Sequence, residues 1–166
     1  AGIMDFDAAA AEIDDGKMVA TITTNLMGPI RMTSALIEHL KTKSDAVIAY
    51  TSSVLAFVPL APTAVYSSTK AALHSYILSQ RFLLRDTPVR VLEIAPPWVR
   101  TELLNSQEEE RAMPLAEYIE ETIAVLGTGA DEILVERAKL FRGNPGPNEH
   151  ELVNGFNAQW LPEPAG

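Results

Sequence analysis

Tyr66 and Lys70 stand four residues apart in the segment Tyr66-Ser67-Ser68-Thr69-Lys70, and Ser53, behind Ser52, closes an apolar run upstream. Side chains at i and i+4 share one face of a helix, so this ammonium can sit beside this phenol. A phenol ordinarily titrates at about 10, and a fixed neighbouring cation favours the phenolate. The spacing therefore predicts a tyrosine hydroxyl brought toward acid–base work near neutral pH. Of the four tyrosines, only Tyr66 has a basic residue four positions on. Two plainer readings stand beside this one. The pair also fits an ordinary amphipathic helix, and Ser53 also fits a cap at a strand end.

The elements that must position these groups follow from periodicity. Asp5 and Asp7 are possible caps for a short helix over Ala8 to Ile13. Apolar residues then step by four through Met18, Ile22, Leu26 and Ile30 and continue through Leu36, Ile37 and Leu40, predicting a helix over 17–42. Pro29 lies inside it, and an interior proline costs about 3 kcal/mol unless the helix bends, so a kink is expected beside Asn25 and Gly28. Ala46 to Thr51, introduced by Asp45, reads as a buried strand. Pro59 to Pro62 form a loop, and a helix from about Ala64 to Arg85 follows, stopped by Asp86-Thr87-Pro88. Val89 to Ala95 is a second buried strand, closed by Pro96-Pro97. Helix, strand, helix, strand in this order implies parallel strands joined by crossovers, hence an open α/β sheet. Such sheets bind ligands outside the carboxyl ends of their strands, where Ser53 and the Pro96-Pro97-Trp98 loop both fall. Beyond them, Glu117 to Leu126, Asp131 to Phe141 and Glu149 to Trp160 read as helices. The chain is expected to be one domain over 1–166, with 143–166 a loosely attached turn, helix and tail.

Composition narrows the function classes. The chain has 166 residues, 47% of them hydrophobic and 21% charged, which suits one globular core. Its net charge of −9 argues against phosphate backbones and anionic lipid as partners, so neither nucleic acid nor membrane is expected. With no cysteine, disulfides and thiolate metal sites are excluded. The longest apolar stretch, Val54 to Tyr66, is broken by Pro59, Pro62 and Thr63, and the first residues do not spell a secretion signal; a cytoplasmic location is expected. His39, His74 and His150 share no metal-ligand spacing and are read as solvent-facing, so no metal is expected. The run Glu108-Glu109-Glu110 reads as a solvated helix start.

Four motifs together resemble the short-chain dehydrogenase/reductase family. They are Asn25 within Thr24-Asn25-Leu26-Met27-Gly28, Ser53 within Tyr50-Thr51-Ser52-Ser53, Tyr66-x-x-x-Lys70, and Pro96-Pro97-Trp98-Val99-Arg100-Thr101-Glu102-Leu103. The match covers about Ala1 to Leu104, and the tail from Pro114 to Phe141 is similar to the DltE-like bacterial branch. The resemblance implies a Rossmann-like, doubly wound parallel sheet with helices on both faces, and an oxidoreductase using NAD or NADP on a small, largely apolar carbonyl compound or alcohol. It gives Tyr66 the part of general acid, or base in reverse. Lys70 would lower the tyrosine's pKa and hold the ribose hydroxyls, Ser53 would donate to the developing alkoxide, and Asn25 would hold a kinked helix where water relays protons. Pro96, Val99 and Thr101 would line the nicotinamide, with Thr101 touching its carboxamide or a phosphate. Trp98 and Leu103 would meet the substrate. The long helices at 17–42 and 64–86 resemble the family's dimer-forming pair, implying a homo-oligomer.

Two departures accompany the resemblance. The family's Thr-Gly-x-x-x-Gly-x-Gly turn, which cradles the pyrophosphate at a helix N-terminus, is absent, and Ala1-Gly2 looks like the end of its Asn-Asn-Ala-Gly strand. Half of the cofactor site, and with it the choice between NAD and NADP, is therefore expected to lie outside this sequence. Pro97 stands where the family usually has glycine, so the loop there should run differently. Other readings remain open. A fold relative without catalysis could act by association, since half a cofactor site binds weakly. Ser67-x-x-Lys70 also spells a serine–lysine hydrolase pair, although its companion Ser-Asp-Asn and Lys-Thr-Gly elements are absent. Asn25 could bond only locally near Pro29, Thr101 could be a helix N-cap, and Trp98, Leu103, Leu104 and Met113 could be core or a lid over a substrate.

Overall fold

A computed structural model describes residues 2–7, 9–144 and 146–160. Its centre is a three-stranded parallel sheet with helices on both faces, as the pattern of elements predicts. Strand β1 (Ala46–Thr51) pairs with β2 (Val89–Ile94) in the register Ala46 to Val89 through Thr51 to Ile94. Both are short β-branched runs bounded by turn residues, and both appear where expected. β2, the middle strand, is buried almost throughout, whereas β1 is an edge strand with Val47 exposed. The third strand, β3 (Glu132–Ile133), pairs Glu93 with Glu132 and Ile94 with Ile133. It corrects the expectation of two strands and a helix beginning at Asp131. Glu93 N–H donates to Asp131 O, and that ladder overrides the helical spacing of a segment only two residues long.

Residues 9–13 form no helix, against the short one expected from Ala8 to Ile13, and α1 (Asp15–Ile22) is the start of the helix expected over 17–42, capped by Asp14, which accepts from Lys17 N at 3.1 Å. Residues 9–13 are turn and irregular backbone, too short a run to nucleate a helix unaided. A π turn (Thr23–Met27) joins α1 to α2 (Gly28–Lys41) at the expected kink. Pro29 thereby sits in the first turn of α2, where its missing N–H has no helical partner to lose.

Helix α3 (Ala64–Leu84) crosses from β1 to β2 and packs Leu73, Ile77 and Leu84 against Ala46, Tyr50, Val89 and Val91. Burying such aliphatic side chains contributes roughly 1.5–3 kcal/mol each, so this face fixes α3 on the sheet. The Tyr50 hydroxyl lies 2.6 Å from Thr33 Oγ1 and 2.8 Å from Gln80 Oε1, linking β1 to α2 and α3. Helices α4 (Leu115–Leu126), α5 (Glu136–Arg142) and α6 (Glu149–Ala158) complete the chain. The run Glu108 to Glu110 is a series of turns, not a helix start. Helix α6 touches the loop before α3. Asn157 Nδ2 donates to Pro59 O at 3.0 Å, its Oδ1 accepts from Ala61 N, and Phe156 meets Phe141 edge-on. The expectation for Leu161 to Gly166 falls outside the described residues.

Candidate active site

The first turn of α3 carries the chemistry, and distant parts of the chain set its position. Thr63 offers no side-chain cap. Instead, Asp7 Oδ2 accepts from Val65 N at 2.9 Å, and Asp7 N–H donates to Pro62 O at 2.8 Å. Asn157 holds the same loop from the other side, and Leu60 N–H donates to Ser67 Oγ at 3.3 Å. Three side chains thus pin residues 59–65 immediately before Tyr66. No sequence signal reveals Asp7 or Asn157, because their partners lie 58 and 96 positions away.

Tyr66 and Lys70 are both buried, with 7% and 6% of their surface exposed. The Lys70 ammonium lies 5.4 Å from the Tyr66 ring centroid and donates to Thr51 O at the end of β1, at 3.0 Å. Ser53 ends the same strand. Its Oγ accepts from Leu55 N at 3.1 Å, capping a single 3₁₀ turn, and its hydroxyl lies near enough to the Tyr66 phenol to influence its titration. Burial raises the pKa of Tyr66 above its usual value, and the Ser53 hydroxyl works against that rise. This differs from the expected phenol drawn down by its neighbour, because desolvation is the largest influence on Tyr66. The ammonium is itself pushed down to about 8 by burial.

The remaining candidates divide. Asn25, 2% exposed in the π turn, does not bond locally: its side chain accepts from Ile3 N at 2.9 Å and donates to Ile3 O at 2.7 Å. It thus holds the chain before α1 and makes no hydrogen bond to Tyr66 or Lys70. Pro96 O accepts from Val54 N at 3.0 Å, which brings the loop after β2 against the turn after Ser53. Val99 is buried and bridges to Met113, and Thr101 Oγ1 accepts from Leu103 N two residues on, a local turn contact. The 3₁₀ turn that follows begins at Leu103 after Glu102 and has no side-chain cap. Ser106, unsuspected from sequence, organises this loop: its hydroxyl lies within reach of the Val99, Thr101 and Leu103 carbonyls, donating to one of them at a time, and accepts from Thr101 N. Left-handed backbone occurs in this loop at Leu104 (φ 58°) and Asn105 (φ 51°). Met113, fully buried with Tyr66 in one apolar cluster, is core. Trp98 packs on Trp160 of the α6 end at 5.2 Å, and Leu103 faces solvent.

A cavity of about 220 Å³ opens beside Tyr66 and Val65, walled by Met18 and Thr21 and by Asp5, Asp7, Glu12 and Asp14. It is large enough for a small organic molecule. The serine–lysine pair has a different arrangement: Ser67 is buried facing Leu60, and the Lys70 ammonium is bonded to Thr51. Of the histidines, His74 is not solvent-facing, since its Nδ1 lies 2.7 Å from Glu93 Oε2. No helix among the described residues is long and apolar enough to cross a membrane.

The family model for short chain dehydrogenases matches residues 1–112. The "uncharacterized oxidoreductase DltE" of Bacillus subtilis is 36% identical over 143 residues, 83% of this chain and 57% of that protein. The NADP-dependent 3-hydroxy acid dehydrogenase of Schizosaccharomyces pombe is 34% identical over 90 residues, 54% of this chain and 34% of that one. The chain thus spans about a third to somewhat over half of these relatives' length. A short chain dehydrogenase from Burkholderia cenocepacia, solved with NADP, superposes with a TM-score of 0.81 at 24% identity over 93% of this chain and 67% of that one. With the Ser53, Tyr66 and Lys70 cluster at the strand ends of a parallel sheet, the chain belongs to the short chain dehydrogenase family.

Proposed function

We propose that this chain carries the proton-handling half of an NAD(P)-dependent oxidoreductase site that interconverts a carbonyl and an alcohol. The supporting observation is a buried tyrosine, with Ser53 near its hydroxyl and the Lys70 ammonium 5.4 Å from its ring, that ammonium bonded to the backbone carbonyl of Thr51. The residues here fit the nicotinamide and ribose end of a dinucleotide. Lys70 spends one of its three N–H donors on Thr51 O, leaving two for ribose hydroxyls. Pro96, Val99 and Thr101 form the adjoining loop. When bound, the reduced dinucleotide supplies hydride to the carbonyl carbon. The Tyr66 hydroxyl passes its proton to the carbonyl oxygen, Ser53 donates a hydrogen bond to that oxygen, and the reverse reaction returns the proton to Tyr66. Lys70, near 8 and largely protonated at pH 7, holds a replacement proton close by. Asp5, Asp7, Glu12 and Asp14 outnumber Lys17 on the cavity wall, which disfavours anionic substrates; a small, largely apolar carbonyl compound or alcohol remains the substrate class that the family resemblance supports.

The test follows NADPH and NADH oxidation with a panel of small ketones by the full protein that carries this chain. Tyr66→Phe is expected to lower turnover by about a hundredfold to ten-thousandfold while the fold persists. Undiminished turnover in that variant would overturn the assignment.

Self-association is a further part of this reading, and exposed apolar residues favour it. Met32 and Leu36 on α2, with Phe82 and Leu83 on α3, are 66%, 46%, 64% and 74% exposed. An apolar face of this kind is ordinarily covered. Light scattering at micromolar concentration should give a homo-oligomer that Phe82→Glu dissociates; a monomer in both cases removes the proposal.

A further inference from the structure

We propose that His74, Glu93 and Glu132 form a divalent-cation site, independent of the oxidoreductase reading. One imidazole nitrogen and one oxygen from each carboxylate lie within 4.8 Å of one another. The elements bring them together for separate reasons. Glu93 and Glu132 are register partners across β2 and β3, so they project from the same face of the sheet, and His74 reaches that face from α3. A set of one nitrogen and two oxygens suits Zn²⁺ or Mn²⁺, with solvent completing the coordination.

Glu93 points to the ligand. It is 1% exposed, one oxygen is 2.7 Å from His74 Nδ1, and the other, Oε1, is buried without a hydrogen-bond partner among the described residues. A buried carboxylate oxygen left unmatched is strongly unfavourable, and such groups commonly mark a bound water or ion. Arg142 holds Glu132 through Nε at 2.8 Å and Nη2 at 3.0 Å, so its guanidinium makes no hydrogen bond to Glu93. Arg81, also near, spends its guanidinium on the carbonyls of Val91 and Asp131. The Arg142 side chain is about one-third exposed and lies over the Phe57 ring, so it can swing outward as a cation enters. It is therefore the resident competitor for the site. A bound ion would clamp α3, one turn beyond Lys70, to β2 and β3.

The metal-stripped protein is titrated calorimetrically with ZnCl₂ and then MnCl₂. One ion per chain is expected. His74→Gln and Glu93→Gln should each weaken binding by about tenfold or more, since loss of even an outer partner of a metal ligand does as much. Arg142→Gln should tighten it. The melting temperature should rise with ion concentration in the wild type and in Arg142→Gln, but little in the ligand variants. Absence of saturable one-to-one binding overturns the site. So does binding unchanged in His74→Gln, which would place the ion at surface groups, or binding weakened by Arg142→Gln. Should Glu93→Gln fail to fold, His74→Gln, altered at the partly exposed rim, still decides.

Discussion

Two polar clusters spring from one helix, a turn apart, and their electrostatics are opposite. Around Tyr66, a lysine is buried with only a backbone carbonyl beside it. Around His74, two carboxylates, an imidazole and a guanidinium crowd together in compensating signs. A charge network that ties strands to helices can serve the fold. A lone buried ammonium cannot, because desolvation opposes its charged form, and its own pKa records that opposition. The contrast teaches which cluster the fold would discard first if stability alone were selected. It is the one bearing the chemistry.

The frame common to both clusters gives the largest test. Ile77 is fully buried on the sheet-facing side of α3, and Ile77→Ala should cost about 2–5 kcal/mol through the cavity it leaves. Urea unfolding that registers under about 1 kcal/mol would show that this face does not hold α3 in place. Lys70→Met separates the clusters more sharply. The folded-state value of about 8 lies below the ordinary 10.5, so the unfolded chain binds more protons between those pH values and stability rises across the window. Below pH 8 the full cost is felt, and Lys70→Met should therefore gain on the order of 2 kcal/mol at pH 7 while abolishing turnover. The gain should vanish above pH 10.5, and a stabilisation independent of pH would refute the electrostatic account. The smallest effect is expected at the rim of the second cluster. Arg142 holds the Glu132 carboxyl below its usual range, so the pair stabilises above the ordinary carboxylate pKa and is lost as pH falls through the folded value. Glu132→Gln should cost about 1 kcal/mol or less at pH 7 and nothing in acid, read from melting temperatures across pH.

Legibility in the sequence follows the range of the interaction. The strands at 46–51 and near 89–94 are short β-branched runs with Asp45, Pro88 and Pro96 as boundaries, so local rules suffice. Pro29 likewise announces the bend at Asn25. Ser53, Tyr66 and Lys70 are legible because strand end and helix start are fixed by that same punctuation. The two-residue strand β3 exists only because β2 offers it a ladder, and nothing within Asp131 to Phe141 signals this. Asp7, Asn157 and Ser106 are single polar residues whose value comes from remote loops. The sign of the Tyr66 shift was equally out of reach, since i+4 spacing tells of a neighbouring cation but not of the burial that outweighs it.

The π turn at Thr23–Met27 amounts to one surplus residue spliced into an otherwise continuous rod. Deleting one residue there would restore ordinary winding with α1 and α2 still nearly in phase, but would remove the widened turn that aims Asn25. Asn25 would then swing off Ile3, untethering the segment that delivers Asp7 to the start of α3. Tolerance to length change is therefore lowest in a stretch that no substrate need touch.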